Sequence, residues 1–270
     1  MVFGMSTACF FPHVYTEHAI DLMGKMGIKN VEIFFSCMTE YSKVFIKELK
    51  SRMANHDISA YSVHALSIQF EPQLFSMHKR ARQEAIDIFK QVLEAGAQLG
   101  AEVYVFHGPS DIKRARKLTL DFSHIAETAD FLSDMAKQYD IKLAWENVHW
   151  CWYARPDFAG ELLRRIHTDN LYFTLDIKQA AQAGYDPIDF LEYTKGKLVN
   201  IHICDYSVSK DRGIYPMLPF KGSIDFKAFK RALENIGYDR AMILEVYRNN
   251  FSDYTELLNN FKEVKSFFSD

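Results

Sequence analysis

Apolar positions along the chain alternate between two rhythms. Over His78–Leu99, Ile86, Phe89, Leu93 and Ala97 step by three and four, which gathers them on one face of an α-helix. Gly100 follows, a residue able to take positive φ and close that helix. The next run, AEVYVFHG, is short, rich in β-branched and aromatic residues, and ends on a polar side chain. The same unit recurs in GIKNVEIFF, DISAYSVHA, IKLAWEN, LYFTLDI, LVNIHICD and AMILEVY, with FGMSTACFF as the expected first strand. Helices are expected over 16–26, 41–55, 78–99, 119–138, 157–167, 187–195 and 225–236. Eight strands alternating with helices predict a parallel sheet, because each strand is re-entered through a helix. In a chain of 270 residues that number fits a closed (β/α)8 barrel, a single TIM-barrel domain over 1–270. An open doubly wound sheet is disfavoured, since no glycine-rich phosphate loop follows any strand.

Composition narrows the setting. Apolar residues make up 48% and charged residues 25%, ample for a core. The formal charge of −3 offers no broad basic surface for a phosphate backbone, so no nucleic-acid partner is expected. No apolar run is long enough for a membrane span, and the N-terminus lacks a charged leader followed by an apolar stretch, so no signal peptide is expected. Cys9, Cys37, Cys151 and Cys204 form no C-x-x-C pair, which fits reduced thiols and a cytoplasmic location.

The chemistry is concentrated where strands end. Glu32, His64, His107, Glu146, Asp176, His202 and Glu245 close seven of the predicted strands. In a barrel, such ends converge on one mouth. A lone strand-end histidine is usually a satisfied core group, but seven ionisable residues on seven strands need partners or a ligand. Three carboxylates and one histidine on the last four strands make an oxygen-rich cage for one divalent ion: Mn²⁺, Mg²⁺ or Co²⁺, with Zn²⁺ also accepted. The alternative is a buried ion-pair network.

These residues also carry a resemblance. WEN at 145–147, FTLD at 173–176, NIHICD at 200–205, KGSIDF at 221–226 and ILE at 243–245 resemble the xylose isomerase-like barrels, specifically the sugar phosphate isomerase/epimerase group that includes the D-tagatose 3-epimerase type. The resemblance spans nearly the whole chain and implies metal ligation by Glu146, Asp176, His202 and Glu245. It also implies that Glu146 and Glu245 serve as the acid–base pair. Asp205 completes an H-x-x-D motif and would orient a ligand or loop. The sequence departs from the family in carrying Gln179 where a histidine is usual, Lys178 beside it, and Phe220-Lys221-Gly222 in place of a glycine pair. Gln179 can still hydrogen-bond a substrate hydroxyl, and His64 and His107 join it as candidate substrate-binding residues.

Such a site implies a metal-dependent isomerase or epimerase acting on a keto sugar or sugar phosphate through an enediolate. One alternative is a dehydratase on the same barrel. Another is an abasic-site DNA repair enzyme resembling endonuclease IV, with His64 and His107 as extra metal ligands. Against that alternative, Asp211-Arg212-Gly213 lacks the histidine of an Asp-x-His motif. A metal-free sugar-binding barrel is disfavoured by retention of all four ligands. The run Trp150–Tyr153 could form a sugar-stacking wall or pack against another subunit, and the aromatic content admits a homodimer. Cys204 reads as a small hydrophobe, and Lys210 and Arg212 as a phosphate contact or a solvated loop.

Overall fold

A computed structural model describes residues 1–110, 120–209 and 213–269. Eight parallel strands close into a barrel: β1 (Val2–Ser6), β2 (Asn30–Phe35), β3 (Ser59–Ala65), β4 (Val103–Phe106), β5 (Lys142–Glu146), β6 (Leu171–Asp176), β7 (Leu198–Ile203) and β10 (Ala241–Leu244), with β10 lying between β7 and β1. A two-stranded antiparallel ribbon, β8 (Asp205–Val208) with β9 (Ile214–Met217), stands beyond β7. The helices are α1 (Thr16–Lys25), α2 (Lys43–His56), α3 (Glu71–Leu74), α4 (Lys79–Leu99), α5 (Phe122–Lys137), α6 (Asp157–Leu163), α7 (Ile177–Ala183), α8 (Asp189–Thr194), α9 (Phe226–Ile236) and α10 (Tyr254–Ser269). Among the described residues, none is long and apolar enough to cross a membrane.

The α4 stripe read from the sequence is the buried one. Ile86, Phe89 and Leu93 are buried, and Gly100 caps the helix at φ 78°. The expected strand 3–11 stops at Ser6, where the Ser6 side chain accepts from the Ala8 amide and starts a 3-10 turn over Thr7–Phe10. Residue 177 is helical rather than extended, because Asp176 itself caps α7. The ribbon, the short α3 and the closing α10 fall outside the expected elements. Helix α10 buries Leu257, Phe261, Val264 and Phe268 and supplies the helix that follows the eighth strand of a (β/α)8 barrel.

The barrel interior is layered. Val103, Ala144 and Tyr172 share strand parity with His107, Glu146 and Asp176 and form an apolar plug with Val199 and Tyr61. That plug closes the N-terminal end and leaves the opposite end for polar groups. Four cysteines among the described residues are free thiols.

Candidate active site

Glu146 and Asp176 are the last residues of β5 and β6, His202 lies one residue inside the end of β7, and Glu245 follows β10 directly. All four side chains are buried, and they meet. His202 Nδ1 lies 3.0 Å from Glu245 Oε2, 3.2 Å from Glu146 Oε1 and 3.9 Å from Asp176 Oδ2. Three carboxylates thus converge on one imidazole nitrogen, as the strand-end pattern predicts.

Glu32 departs from that pattern. It sits in the middle of β2 rather than at its end, because the strand continues to Phe35. Its parity still turns it inward, where it is fully buried and accepts from Ser62 Oγ at 2.7 Å and Asn200 Nδ2 at 3.2 Å. Glu32 Oε2 is 3.0 Å from His202 Nε2. It therefore fixes the far side of the ring whose Nδ1 faces the cage.

Asp176 divides its two oxygens. Oδ1 accepts the Gln179 amide at 2.7 Å and starts α7, while Oδ2 is buried with the Lys178 ammonium 3.3 Å away. Oε2 of Glu146 and Oε2 of Glu245 are likewise buried, beside His107 Nε2 at 2.7 Å and His202 Nδ1 at 3.0 Å. Three carboxylates gathered in a protein interior are costly, and a divalent cation would offset them together. The donor set is hard and anionic, which suits such an ion.

The electrostatics follow from this crowding. Burial alone would raise the Glu146 and Glu245 carboxyls, but His107 and His202 hold Glu146 well below its ordinary range. His202, aided by Lys178, holds Glu245 at about 2. Burial and the neighbouring carboxylates lift Asp176 to about 6 against the pull of Lys178. His202 rises well above its ordinary value because Glu245, Glu32 and Glu146 outweigh the cost of burying its charge.

His64 and His107 form a second group beside the cage. His107 Nε2 lies 2.7 Å from both Glu146 Oε2 and His64 Nε2, and its Nδ1 is 2.6 Å from Ser67 Oγ. Burial and the neighbouring His107 push His64 down to about 4, so it is the neutral partner. Although burial opposes it, Glu146 holds His107 above its ordinary value, so the two rings are pushed in opposite directions. His64, His107 and Glu146 also place three potential metal-ligating atoms within 4.8 Å of one another.

Glu71 has no place in the strand-end pattern, since it lies on α3. Its carboxylate accepts from the His107 and Gly108 amides at 2.8 Å each and from Tyr104 Oη at 2.5 Å. Gly108 takes φ 73°, and a Cβ there would stand 2.6 Å from the Trp145 ring. Only glycine lets the chain turn so closely behind His107.

These groups floor a cavity of about 270 Å³ at the mouth, lined by Ala8, Phe11, Phe34, His64, Leu66, Ile68, His107, Glu146, Trp150, Gln179, Glu245 and Tyr247 among others. Of the four cage residues only the two glutamates line it. A larger groove of about 790 Å³ between α6, α8 and α9 contains none of the strand-end residues. Gln179 lines the mouth, with its amide oxygen 2.6 Å from His149 Nδ1. The aromatic run divides: Trp150 lines the cavity edge-on to His107, whereas Tyr153 packs against Phe158 and Phe173 in the core.

Asp205 orients a loop, accepting from Gly222 N at 2.7 Å and Ile224 N at 3.1 Å. The loop lacks the family's glycine pair, and Phe220 takes φ 67° while packing on Phe226 and Phe267. The phosphate-contact reading of Lys210 and Arg212, and Asp211, lie outside the described residues.

Residues 20–266 match the model of the xylose isomerase-like TIM barrels. The chain belongs to that family. Among similar sequences is an inosose isomerase of Bacillus velezensis, 26% identical over 91% of this chain and 89% of the relative. A D-tagatose 3-epimerase-like protein shares the fold with a TM-score of 0.80 at 21% identity, covering 100% of this chain and 97% of the other. The IOLI protein, solved with a bound zinc atom, has a TM-score of 0.79 at 21% identity, with coverages of 99% and 98%.

Proposed function

We propose that this barrel is a divalent-metal-dependent isomerase or epimerase of a keto sugar or keto polyol, shifting a proton on carbon adjacent to the carbonyl. One observation carries the reading: three carboxylates converge on His202 Nδ1 at the floor of a monosaccharide-sized cavity, and only Glu146 and Glu245 of that set line it. The similarity to an inosose isomerase and to D-tagatose 3-epimerase-like proteins supports the substrate class.

Glu146, Asp176, His202 and Glu245 would hold the ion. When bound, it supplies electrophilic stabilisation of negative charge on the substrate's oxygens. Glu146 and Glu245 stay ionised and can each accept a proton. One carboxylate takes the proton from carbon, the C–H electron pair moves into the carbon–carbon bond, and the carbonyl oxygen gains charge as an enediolate. For the epimer, the other glutamate first draws a proton from solvent water and delivers it to the opposite face, while the first releases its proton to solvent. For the isomer, the first glutamate returns its proton to the former carbonyl carbon, and the hydrogen of the hydroxyl on the deprotonated carbon passes to the former carbonyl oxygen. His64, His107 and the Gln179 amide line the cavity and would hydrogen-bond substrate hydroxyls, with Trp150 as a flat apolar wall.

The test incubates the Mn²⁺-loaded protein in ²H₂O with D-tagatose, D-fructose and a keto-inositol. Magnetic resonance should show deuterium at carbon next to the carbonyl in at least one of them. No exchange in any, with cleavage of an abasic-site duplex instead, would move the assignment to the second group around His64 and His107.

A further inference from the structure

Lys178 is 2% exposed, two residues beyond Asp176 on α7. A buried ammonium is costly unless its hydrogens are taken up. Here it donates to Tyr247 Oη at 2.9 Å and is ion-paired with Asp176 Oδ2 at 3.3 Å. The ammonium also stands 4.6 Å from the centre of the Tyr247 ring. A counter-charge for Asp176 alone would need no tyrosine.

An ammonium has only donors, so the phenol oxygen accepts from it, and the phenol's own hydrogen must point elsewhere. Tyr247 lines the cavity beside Glu245. Its backbone is pinned as well: its amide donates to Asn250 Oδ1 at 2.7 Å, and Asn250 Nδ2 donates to the Pro216 carbonyl at 2.7 Å. The phenol is held from behind and from below.

We propose that Tyr247 is a further catalytic residue, donating its phenolic hydrogen to a substrate oxygen next to the carbon served by Glu245. Lys178 is its positioning residue, polarising the phenol from a site the substrate does not reach. Because an ammonium-backed donor strengthens as its acceptor gains charge, the interaction favours the charged intermediate over the bound ketone. The inference rests on the proton-transfer reading given above and adds a donor on the Glu245 side of the mouth.

Tyr247→Phe, Lys178→Met and the double variant are compared with wild type by deuterium exchange into whichever ketose of the panel wild type labels, and by Mn²⁺ calorimetry. Tyr247→Phe should lower kcat on the order of tenfold to a hundredfold, with a smaller change in KM and unchanged Mn²⁺ affinity. Lys178→Met should lower kcat too, and the double variant should be no slower than Tyr247→Phe, since the lysine acts through the phenol. Lys178→Arg, which keeps a charged donor, should recover part of the rate. A Tyr247→Phe enzyme within twofold of wild type in kcat and KM overturns the proposal, as does a rate loss matched by lost Mn²⁺ affinity. A wild type that labels none of the ketoses overturns the proton-transfer reading itself, and this inference falls with it.

Discussion

The Glu32 carboxylate and the His202 ring are joined at 3.0 Å through Nε2, while the same ring turns Nδ1 toward three other carboxylates. A ring held this way cannot flip, and its cage-side nitrogen is fixed. Carboxylate–imidazole pairs of this kind set the tautomer and raise the basicity of a metal-ligating nitrogen. Without an ion, an imidazolium between Glu32 and the cage supplies the missing positive charge; with one, the Nδ1 proton must leave.

Glu32→Gln tests that hold. The amide keeps the size and can still face Nε2, but it removes a fully buried negative charge. Mn²⁺ affinity measured by calorimetry should fall about 10–100-fold, the usual effect of losing such an outer partner. An unchanged affinity would make Glu32 an interior counter-ion with no bearing on the metal.

Asp176→Asn tests ligation. Asparagine caps helices as well as aspartate does, so α7 keeps its first turn through the oxygen that accepts from Gln179. Oδ2 is replaced by an amide group, and the buried Lys178 ammonium loses its carboxylate partner. The Tm without metal should therefore fall, and Mn²⁺ affinity should drop by at least about tenfold. The Mn²⁺-dependent rise in Tm, which follows from binding only the folded state, should shrink with it. Gln179→Ala removes no charge and should leave both nearly intact.

The barrel and the cage were legible in the chain because both depend on short-range patterns. Helix stripes such as Ile86, Phe89 and Leu93 mark the outer layer, and a carboxylate at the end of an apolar run marks the mouth. Glu32 was visible as a buried acid but not as the partner of His202, because that contact joins residues 170 positions apart across the barrel. Glu71 was hidden for a different reason. It lies on a four-residue helix inside a loop, and only the fold shows that it serves the amides behind His107. The Lys178–Tyr247 contact likewise needs α7 to start on Asp176 itself, a turn that the strand pattern masks.

Glu71 gives a pH signature. Burial, opposed by His107 and by hydrogen bonds from Tyr104 and two amides, raises its carboxyl from 4.5 to about 7. In the unfolded chain the group loses its proton near 4.5; in the folded chain it keeps it until about 7. The stability it contributes is therefore fully present below about pH 4.5 and is lost as pH rises through about 7. A shift of this size is worth roughly 3 kcal/mol at most. Glu71→Gln cannot titrate, so its Tm should fall less than that of wild type between about pH 5 and 8. The two melting curves should diverge on the order of 5 °C across that range. Parallel profiles would mean that Glu71 stays ionised in the fold, held by its donors.

Glu146 and Glu245 come from strands separated by β6 and β7, yet both reach His202 Nδ1. Both also line the cavity, and the proposed two-face proton transfer would need one on each side of the substrate. Both are held ionised, Glu245 at about 2 and Glu146 well below its ordinary range, so each is available as a base at neutral pH. Glu146→Gln and Glu245→Gln keep an oxygen toward the metal but cannot accept a proton. At saturating Mn²⁺, each should lower turnover by about a hundredfold or more, the usual cost of removing a general base. The two should differ in how they fail. If each glutamate serves one face, a substrate whose labile hydrogen faces Glu146 should still exchange slowly with solvent in the Glu245 variant, but its epimer should not accumulate. Magnetic resonance in ²H₂O reads exchange and epimer separately. Undiminished exchange and epimer formation in both variants, with Mn²⁺ still bound, would make the glutamates ligands only and pass the proton-transfer role to His64 or His107, which also line the cavity.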